Sequence, residues 1–126
     1  MPRLPKTKIR PAEGPVLTKA AIRAADALNV TAKTLAAVIG VSEASVSRMR
    51  KGDFALEPGS KPFELAVLFI RLFRSLDAIV GGDETVARAW LKNANTALGG
   101  TPAEKIRTIP GMIDVIAYLD ARRAPL

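Results

Sequence analysis

The sequence contains no cysteine and no histidine. Without cysteine the chain cannot form disulfides or a thiolate nucleophile, and without both residue types it lacks the usual ligands of zinc. The absence of histidine also removes the commonest general base at neutral pH. We therefore expect no catalytic residue, no metal site and no cofactor, and an enzyme is the least favoured class of function.

Aromatic residues are few, at 5% of the chain, and the β-branched residues are scattered. Alanine and leucine dominate, and this composition favours helices over strands. The longest apolar run, residues 65–70, is too short to cross a bilayer. The basic N-terminal residues also lack the apolar segment of a signal peptide. We expect an all-α protein of the cytoplasm with no membrane partner.

Positive charge is concentrated in the first half of the chain. Residues 1–60 contain ten Lys and Arg against five Asp and Glu, whereas residues 61–126 contain nine against seven. Such an excess is typical of a region that binds a polyanion, although solubility alone would also explain it. Residues 1–15 combine four prolines with four basic residues. Because proline at this density blocks helices and strands, we predict a basic flexible arm, which either follows DNA phosphates or is an inert tail.

Apolar periodicity and capping residues predict a series of helices and no strand. The predicted helices cover residues 16–29, 32–40, 43–52, 62–80, 84–98, 101–108 and 112–123. We expect Thr18 to cap the first of them and Asp83 to cap the fifth, with Val86 and Trp90 on the buried stripe of that helix. The fourth helix is apolar on more than one face, so it is expected to be buried on several sides and to join the two halves.

The strongest local pattern is TAKTLAAVIGVSEASVSRMRKG, residues 31–52. Ala36 supplies the small residue that two crossing helices need, and Gly40 supplies the turn residue that tolerates a positive φ. Ser42 is suited to cap the second helix, and Val46 to pack back onto the first. This spacing is typical of a DNA-binding helix-turn-helix. An ordinary αα-hairpin would also contain a glycine turn.

The outward positions of the third helix favour the DNA-binding interpretation, because they are short or basic and would let the helix enter a major groove. We predict base-edge contacts for Glu43, Ala44 and Arg48. Arg48 is the expected guanine contact. Phosphate contacts are predicted for Thr31, Lys33, Ser42, Ser47, Arg50 and Lys51, and Ser45 lies on the same exposed helix. Since one helix-turn-helix usually binds half of a two-fold site, we expect a homodimer on operator DNA.

The second half contains no phosphate-binding loop, no metal-ligand cluster and no nucleophile beside a base. It does resemble a known family. Residues 89–104 (AWLKNANTALGGTPAE), followed by Ile106, Thr108, Gly111, Val115 and Leu119, are similar to the C-terminal toxin-binding domain of the Xre/MbcA/ParS antitoxins. The order of the parts matches too, because an Xre-like helix-turn-helix comes first in that family.

The resemblance implies an antitoxin whose partner is a RES-domain toxin, a class that consumes NAD⁺ or transfers its ADP-ribose. Such antitoxins cover the active-site cleft of the toxin and often repress their own operon. The C-terminal end is the part expected to approach the cleft. The residues that the resemblance suggests as toxin contacts are Thr101, Asp114, Tyr118, Asp120, Arg122 and Arg123. Arg122 and Arg123 would pair with a toxin carboxylate, or would only complement the dipole of the last helix.

The predicted organisation is a basic arm at residues 1–15, a helix-turn-helix domain at residues 16–60 and a toxin-binding helical domain at residues 61–126. The glycine and proline in the loop of residues 53–60 mark the division between the two domains. The alternative to an antitoxin is a stand-alone dimeric transcriptional regulator, whose C-terminal helices only dimerise or sense a ligand.

Overall fold

A computed structural model describes residues 12–123. Within this range the chain forms helices only, apart from one isolated β-bridge, so the predicted all-α class is confirmed. The helices are α1 (Glu13–Ala27), α2 (Ala32–Ile39), α3 (Glu43–Lys51), α4 (Lys61–Ile79), α5 (Glu84–Lys92), α6 (Pro102–Lys105) and α7 (Ile109–Arg123). Residues 1–11, most of the predicted arm, and residues 124–126 lie outside the described part.

Helix α4 lies at the centre of the fold. It packs against α1 and α2 from the first half of the chain and against α5 and α7 from the second half. Ala66, Phe69 and Leu72 are completely buried, and Leu76 is almost so. Burying a leucine or phenylalanine side chain contributes roughly 1.5–3 kcal/mol. One apolar helix therefore joins the two halves of the chain, as its composition predicts.

Helix α1 begins earlier than predicted. Residues 13–15, assigned to the arm, form its first turn, and Pro15 fits there because the first-turn N–H groups have no partner within the helix. The prediction that Thr18 caps this helix is wrong. Thr18 lies inside α1, where its buried hydroxyl donates to the carbonyl of Gly14 and accepts the N–H of Leu56.

Helix α5 ends earlier than predicted, at Lys92 instead of residue 98. The backbone of Asn93 is extended, and the N–H and carbonyl of Asn95 pair with Gly100 in the isolated β-bridge. The side chain of Asn95 accepts the N–H of Leu98 at 3.2 Å. Asparagine offers the backbone such local hydrogen bonds in place of helical ones, which explains the early end.

The buried face of α5 also differs from the predicted stripe. Ala87 and Leu91 are buried, whereas Val86 is 48% exposed and Trp90 is half-buried. Asp83 does cap the helix, because its carboxylate accepts the N–H of Val86 at 3.2 Å. The true buried face is therefore one residue further along the helix than the predicted one.

Helix α7 begins at Ile109, three residues before the predicted start, and so includes Pro110 in its first turn. Gly111 lies inside this helix and is buried against α6, where an added Cβ would come within 1.8 Å of the carbonyl oxygen of Lys105. Close contact between α6 and α7 thus depends on a residue without a side chain.

The sequence Thr101-Pro102-Ala103-Glu104 predicts a capping box at the start of α6. This prediction is wrong, because the side chain of Thr101 makes no capping hydrogen bond.

Candidate functional site

The helix-turn-helix is formed by α2, the turn after it and α3. Ala36 and Val46 are buried at the crossing of the two helices, and Gly40 has a φ of +77°. Thr31 caps α2 by accepting the N–H of Thr34 at 3.1 Å, and Ser42 caps α3 by accepting the N–H of Ser45 at 3.0 Å. Each sequence feature that predicts this motif therefore has its expected structural role.

The outward face of α3 is small and polar. Among the predicted DNA contacts, Glu43, Ala44, Ser47 and Arg48 are exposed on this helix. Ser45 is half-buried and its hydroxyl accepts a hydrogen bond from the Ser42 hydroxyl at 3.0 Å. Short side chains at the start of α3 leave room for the edges of base pairs, and the basic residues lie toward its C-terminal end.

Arg48 is held in place by two neighbours. Its guanidinium donates to the hydroxyl of Ser45 at 3.3 Å and lies over the ring of Phe54, 5.5 Å from the ring centroid. Phe54 belongs to the loop that follows α3 and packs against the core. Cation–π contact with an aromatic ring limits the rotamers of an exposed arginine and so lowers the entropy lost when it binds a base.

The other predicted phosphate contacts differ in how they are held. The guanidinium of Arg50 forms an ion pair with Asp26 of α1 at 2.8 Å. Lys33 on α2 and Lys51 at the end of α3 are exposed. Asp26 also accepts, through its backbone carbonyl, a hydrogen bond from Arg88 of α5 at 3.3 Å. A phosphate contact by Arg50 would therefore compete with the carboxylate of Asp26.

The predicted toxin contacts on α7 fall on two different faces of the helix. Asp114, Tyr118 and Arg122 follow one another at four-residue spacing and share one face. The ring of Tyr118 stacks on Trp90 of α5, with centroids 6.1 Å apart, and its hydroxyl accepts from Arg122 at 2.9 Å. The guanidinium of Arg122 also lies 5.6 Å from the Tyr118 centroid, so the cation is placed over an aromatic ring at the surface.

Asp120 and Arg123 face α4 instead. Asp120 forms an ion pair with Arg71 and accepts the hydroxyl of Ser75 at 3.0 Å, while Arg123 donates to the same Ser75 oxygen at 3.1 Å. Partial desolvation opposes ionisation of Asp120, but the Ser75 hydrogen bond and the Arg71 guanidinium outweigh it and hold the pKa of Asp120 below its ordinary value. Asp120, Arg123, Arg71 and Ser75 form what we call the Asp120 cluster, which joins α7 to α4.

The remaining predicted toxin contacts lie near α6. The carboxylate of Asp114 is 3.7 Å from the ammonium of Lys105, and Thr101 is half-buried at the start of α6. Asp114 is itself 63% exposed, so water screens this ion pair and its carboxylate stays accessible to a partner.

Two family models match the chain. One, described as the antitoxin Xre-like helix-turn-helix domain, matches residues 8–71, which is more than half of the chain. The other, described as the antitoxin Xre/MbcA/ParS C-terminal toxin-binding domain, matches residues 75–124. The chain belongs to the Xre-like antitoxin family. Its resemblance to these antitoxins and the predicted order of the two parts are thereby confirmed. A search among curated proteins found no match for this antitoxin.

The antitoxin also presents an apolar surface that sequence analysis missed. Ile109 and Ile113 are each 48% exposed on α7, and Ala117 follows them on the same side. Sequence analysis selected charged and polar residues and the one tyrosine of α7, and assigned no role to Ile109 or Ile113. Their four-residue spacing could have indicated a separate stripe, because the residues Met112, Val115 and Leu119 already fill the buried face.

Other residues of the antitoxin that sequence analysis missed connect its two halves. The guanidinium of Arg88 donates to the carbonyl of Ala27 at 2.8 Å, at the C-terminal end of α1. Ser75 is completely buried, and it is the one polar residue among the buried positions of α4. A polar residue on the apolar face of the helix was the available signal for the Asp120 cluster. Among the described residues, no helix has the length and apolar character that crossing a membrane requires.

Proposed function

We propose that this antitoxin neutralises a RES-domain toxin by covering its active-site cleft, and that it represses its own operon as a homodimer bound through α3. The observation that carries the proposal is the match to a toxin-binding domain over residues 75–124, behind an Xre-like helix-turn-helix. In this proposal the chain acts in the cytoplasm through binding alone, with no catalytic residue and no cofactor.

The surface of α7 supports a role in covering a nucleotide-binding cleft. A pocket that binds the pyrophosphate of NAD⁺ needs cationic groups, and a carboxylate there would bind the ribose hydroxyls. The exposed Asp114 is suited to pair with the cations and Arg122 with the carboxylate. The apolar side chains of Ile109 and Ile113 would supply the desolvated centre that a stable protein interface needs.

Asp120 and Arg123 are weaker candidates for direct toxin contacts. Both are engaged with α4 through Ser75, and Asp120 also pairs with Arg71. A toxin contact by either residue would have to replace those hydrogen bonds, which lowers the net gain in binding free energy. We propose that they hold the end of α7 against α4, while Asp114 and Arg122 carry the charged part of the interface and Tyr118 lies between them.

Co-expression with the RES-type gene of the same operon tests the toxin part of the proposal. We expect the two proteins to copurify, and we expect the antitoxin to stop NAD⁺ loss in cells and in a purified assay. Ile113→Asp and the double variant Tyr118→Ala, Arg122→Ala should weaken protection. Arg107→Ala, which removes an exposed arginine of the loop after α6, is the matched control. A wild-type chain that neither copurifies nor protects would contradict the proposal and favour a stand-alone regulator.

Binding to the promoter of the same operon tests the DNA part. We expect a retarded complex whose affinity falls steeply with salt, because phosphate contacts release counterions. Lys51→Ala should weaken the complex on every sequence, whereas Lys92→Ala removes an equal charge from α5 and should leave affinity unchanged. Equal binding to the promoter and to unrelated DNA would contradict operator recognition.

A further inference from the structure

Arg50 is joined to α1 although it lies on the DNA-binding helix α3. Its guanidinium forms an ion pair with the carboxylate of Asp26 at 2.8 Å, and its side chain lines a cavity of about 480 Å³ together with Ile22. Ile22 and Asp26 are four residues apart, so they lie on one face of α1. The arginine therefore reaches across this face to a carboxylate near the end of α1.

The ion pair distinguishes Arg50 from the other cations of the helix-turn-helix. Within residues 12–123, Lys33, Arg48 and Lys51 form no ion pair with a carboxylate. A guanidinium binds carboxylate oxygens and phosphate oxygens through the same kind of charge-assisted hydrogen bond. Asp26 therefore offers Arg50 the type of partner that the DNA backbone would offer, and it does so in the protein without DNA.

The second half of the chain holds the end of α1 that carries Asp26. Arg88 of α5 donates to the backbone carbonyl of Asp26 at 3.3 Å and to that of Ala27 at 2.8 Å. The last turn of α1 contains no basic residue of its own, and a cation at this end interacts favourably with the helix dipole. Arg88 lies in the segment that the toxin-binding family model matches. The position of Asp26 beside Arg50 thus depends on a residue outside the helix-turn-helix.

We propose that Asp26 is an intramolecular competitor of DNA phosphate, and that Arg88 is the positioning residue that keeps it beside Arg50. The ion pair holds Arg50 off the DNA backbone, so the antitoxin binds DNA of every sequence less tightly than its basic residues would allow. Base recognition by α3 is unchanged, because phosphate contacts carry no direct sequence information. The inference rests on the proposed function in that α3 is the helix that meets DNA.

Asp26→Asn removes the charge of the competitor and keeps the size of its side chain. We expect this variant to bind the promoter of the same operon and an unrelated duplex about two- to fivefold more tightly than wild type, since exposed ion pairs are weak. The ratio of the two affinities should stay the same. Affinity should also fall more steeply with salt, by about one unit of the log–log slope, because the released Arg50 gains a phosphate contact.

Two further variants separate the ion pair from net charge. Asp26→Glu keeps a carboxylate and should retain wild-type affinity. Asp53→Asn removes an equal charge from an exposed position just after α3, and it should leave the salt slope unchanged. Circular dichroism checks that each variant is folded.

Replacing the arginine shows whether it is responsible for the effect. In an Arg50→Ala background, Asp26→Asn should no longer steepen the salt dependence, because the side chain that would reach phosphate is absent. An unchanged slope in Asp26→Asn alone, or the same change in both backgrounds, would overturn the proposal.

Arg88→Ala tests the positioning role. We expect this variant to bind DNA more tightly than Lys92→Ala, which removes an equal charge from the same helix. The difference should disappear when both are compared in the Arg50→Ala background. Equal DNA affinity of Arg88→Ala and Lys92→Ala would overturn the role assigned to Arg88.

The unrelated duplex separates this inference from the proposed function. Equal binding of the wild type to both duplexes would contradict operator recognition, while tighter binding of Asp26→Asn to the unrelated duplex would still support the inference. A wild type that prefers the promoter, with no change in Asp26→Asn on either duplex, would overturn the inference alone.

Discussion

The side-chain hydroxyl of Thr18 accepts the backbone N–H of Leu56 at 2.8 Å, although the two residues are 38 positions apart. The same hydroxyl donates to the carbonyl of Gly14 at 2.7 Å. Leu56 belongs to the loop between α3 and α4, so this pair fixes the loop against α1. An added Cβ at Gly14 would lie 2.6 Å from the Leu56 carbonyl oxygen, which shows how closely the loop approaches.

We expect Thr18→Val to destabilise the fold by about 1–3 kcal/mol, because the isosteric side chain leaves the N–H of Leu56 buried and unpaired. Urea denaturation followed by circular dichroism measures the change. Thr18→Ser keeps the hydroxyl and should cost less than the valine substitution. Equal stability of the valine variant and the wild type would show that the hydrogen bond contributes nothing.

Replacing Arg48 should alter operator recognition. We expect Arg48→Ala to lower operator affinity by about 1–3 kcal/mol and to relax specificity at one base pair, as for a bidentate guanine contact. Binding to a set of operators with single substitutions measures both effects. Phe54→Leu, which removes the ring beneath the guanidinium, should give a smaller loss of the same kind. An unchanged base preference in Arg48→Ala would contradict the predicted docking register.

A methyl group at Gly111 should disrupt the contact between α6 and α7. The added Cβ would overlap the Lys105 carbonyl oxygen, so Gly111→Ala requires backbone movement and should cost about 1–3 kcal/mol or more. Thermal denaturation measures the loss. Gly100→Ala is the matched control on the other side of α6, where the nearest atoms are at ordinary contact distance. Similar melting temperatures for the two variants would argue against the tight packing at Gly111.

The Asp120 cluster should contribute to stability in a pH-dependent way. The pKa of the Asp120 carboxyl is lower in the folded protein than in the unfolded chain. The stabilisation by the ionised carboxylate is therefore complete above the unfolded pKa of about 4, and it is lost as the pH falls through the folded pKa. We expect Asp120→Asn to be less stable than wild type at pH 7. The difference should be below about 1 kcal/mol, because Arg71 and Asp120 are both partly exposed and water screens them.

Urea denaturation at pH 7 and at pH 3 measures this effect. The gap between wild type and Asp120→Asn should narrow at the lower pH. Arg71→Ala and the double variant complete a mutant cycle, in which the two losses should be less than additive if the ion pair is their common cause. A gap that widens in acid would reverse the assigned direction of the shift.

The helix-turn-helix could be predicted closely from sequence, because local residues determine it. Thr31 and Ser42 cap the helices, Gly40 takes the left-handed conformation, and Ala36 meets Val46 in the core. Each of these roles requires a particular residue type within a few positions of its partner. Such signals are present in the chain before any tertiary contact is known.

The end of α5 and the faces of α7 could not be predicted in the same way. The early stop at Lys92 depends on hydrogen bonds between Asn95 and Gly100, which compete with an otherwise helical pattern. Asp120 as a toxin contact stays a prediction, but its hydrogen bond with Ser75 and its ion pair with Arg71 join residues more than 40 positions apart. The apolar periodicity of a sequence indicates which face of a single helix is buried, but it does not identify side-chain partners that are distant in sequence.

Helix α4 packs against both α1 and α7. Within residues 12–123, no loop therefore separates the DNA-binding part from the toxin-binding part without also dividing this shared packing. A recombination event after residue 60 would separate α4 from the α1 and α2 surfaces against which it packs. Exchange of the toxin-binding part is therefore expected to need a crossover near residues 71–75, where one family match ends and the next begins, with a transplanted α7 that still packs against α4.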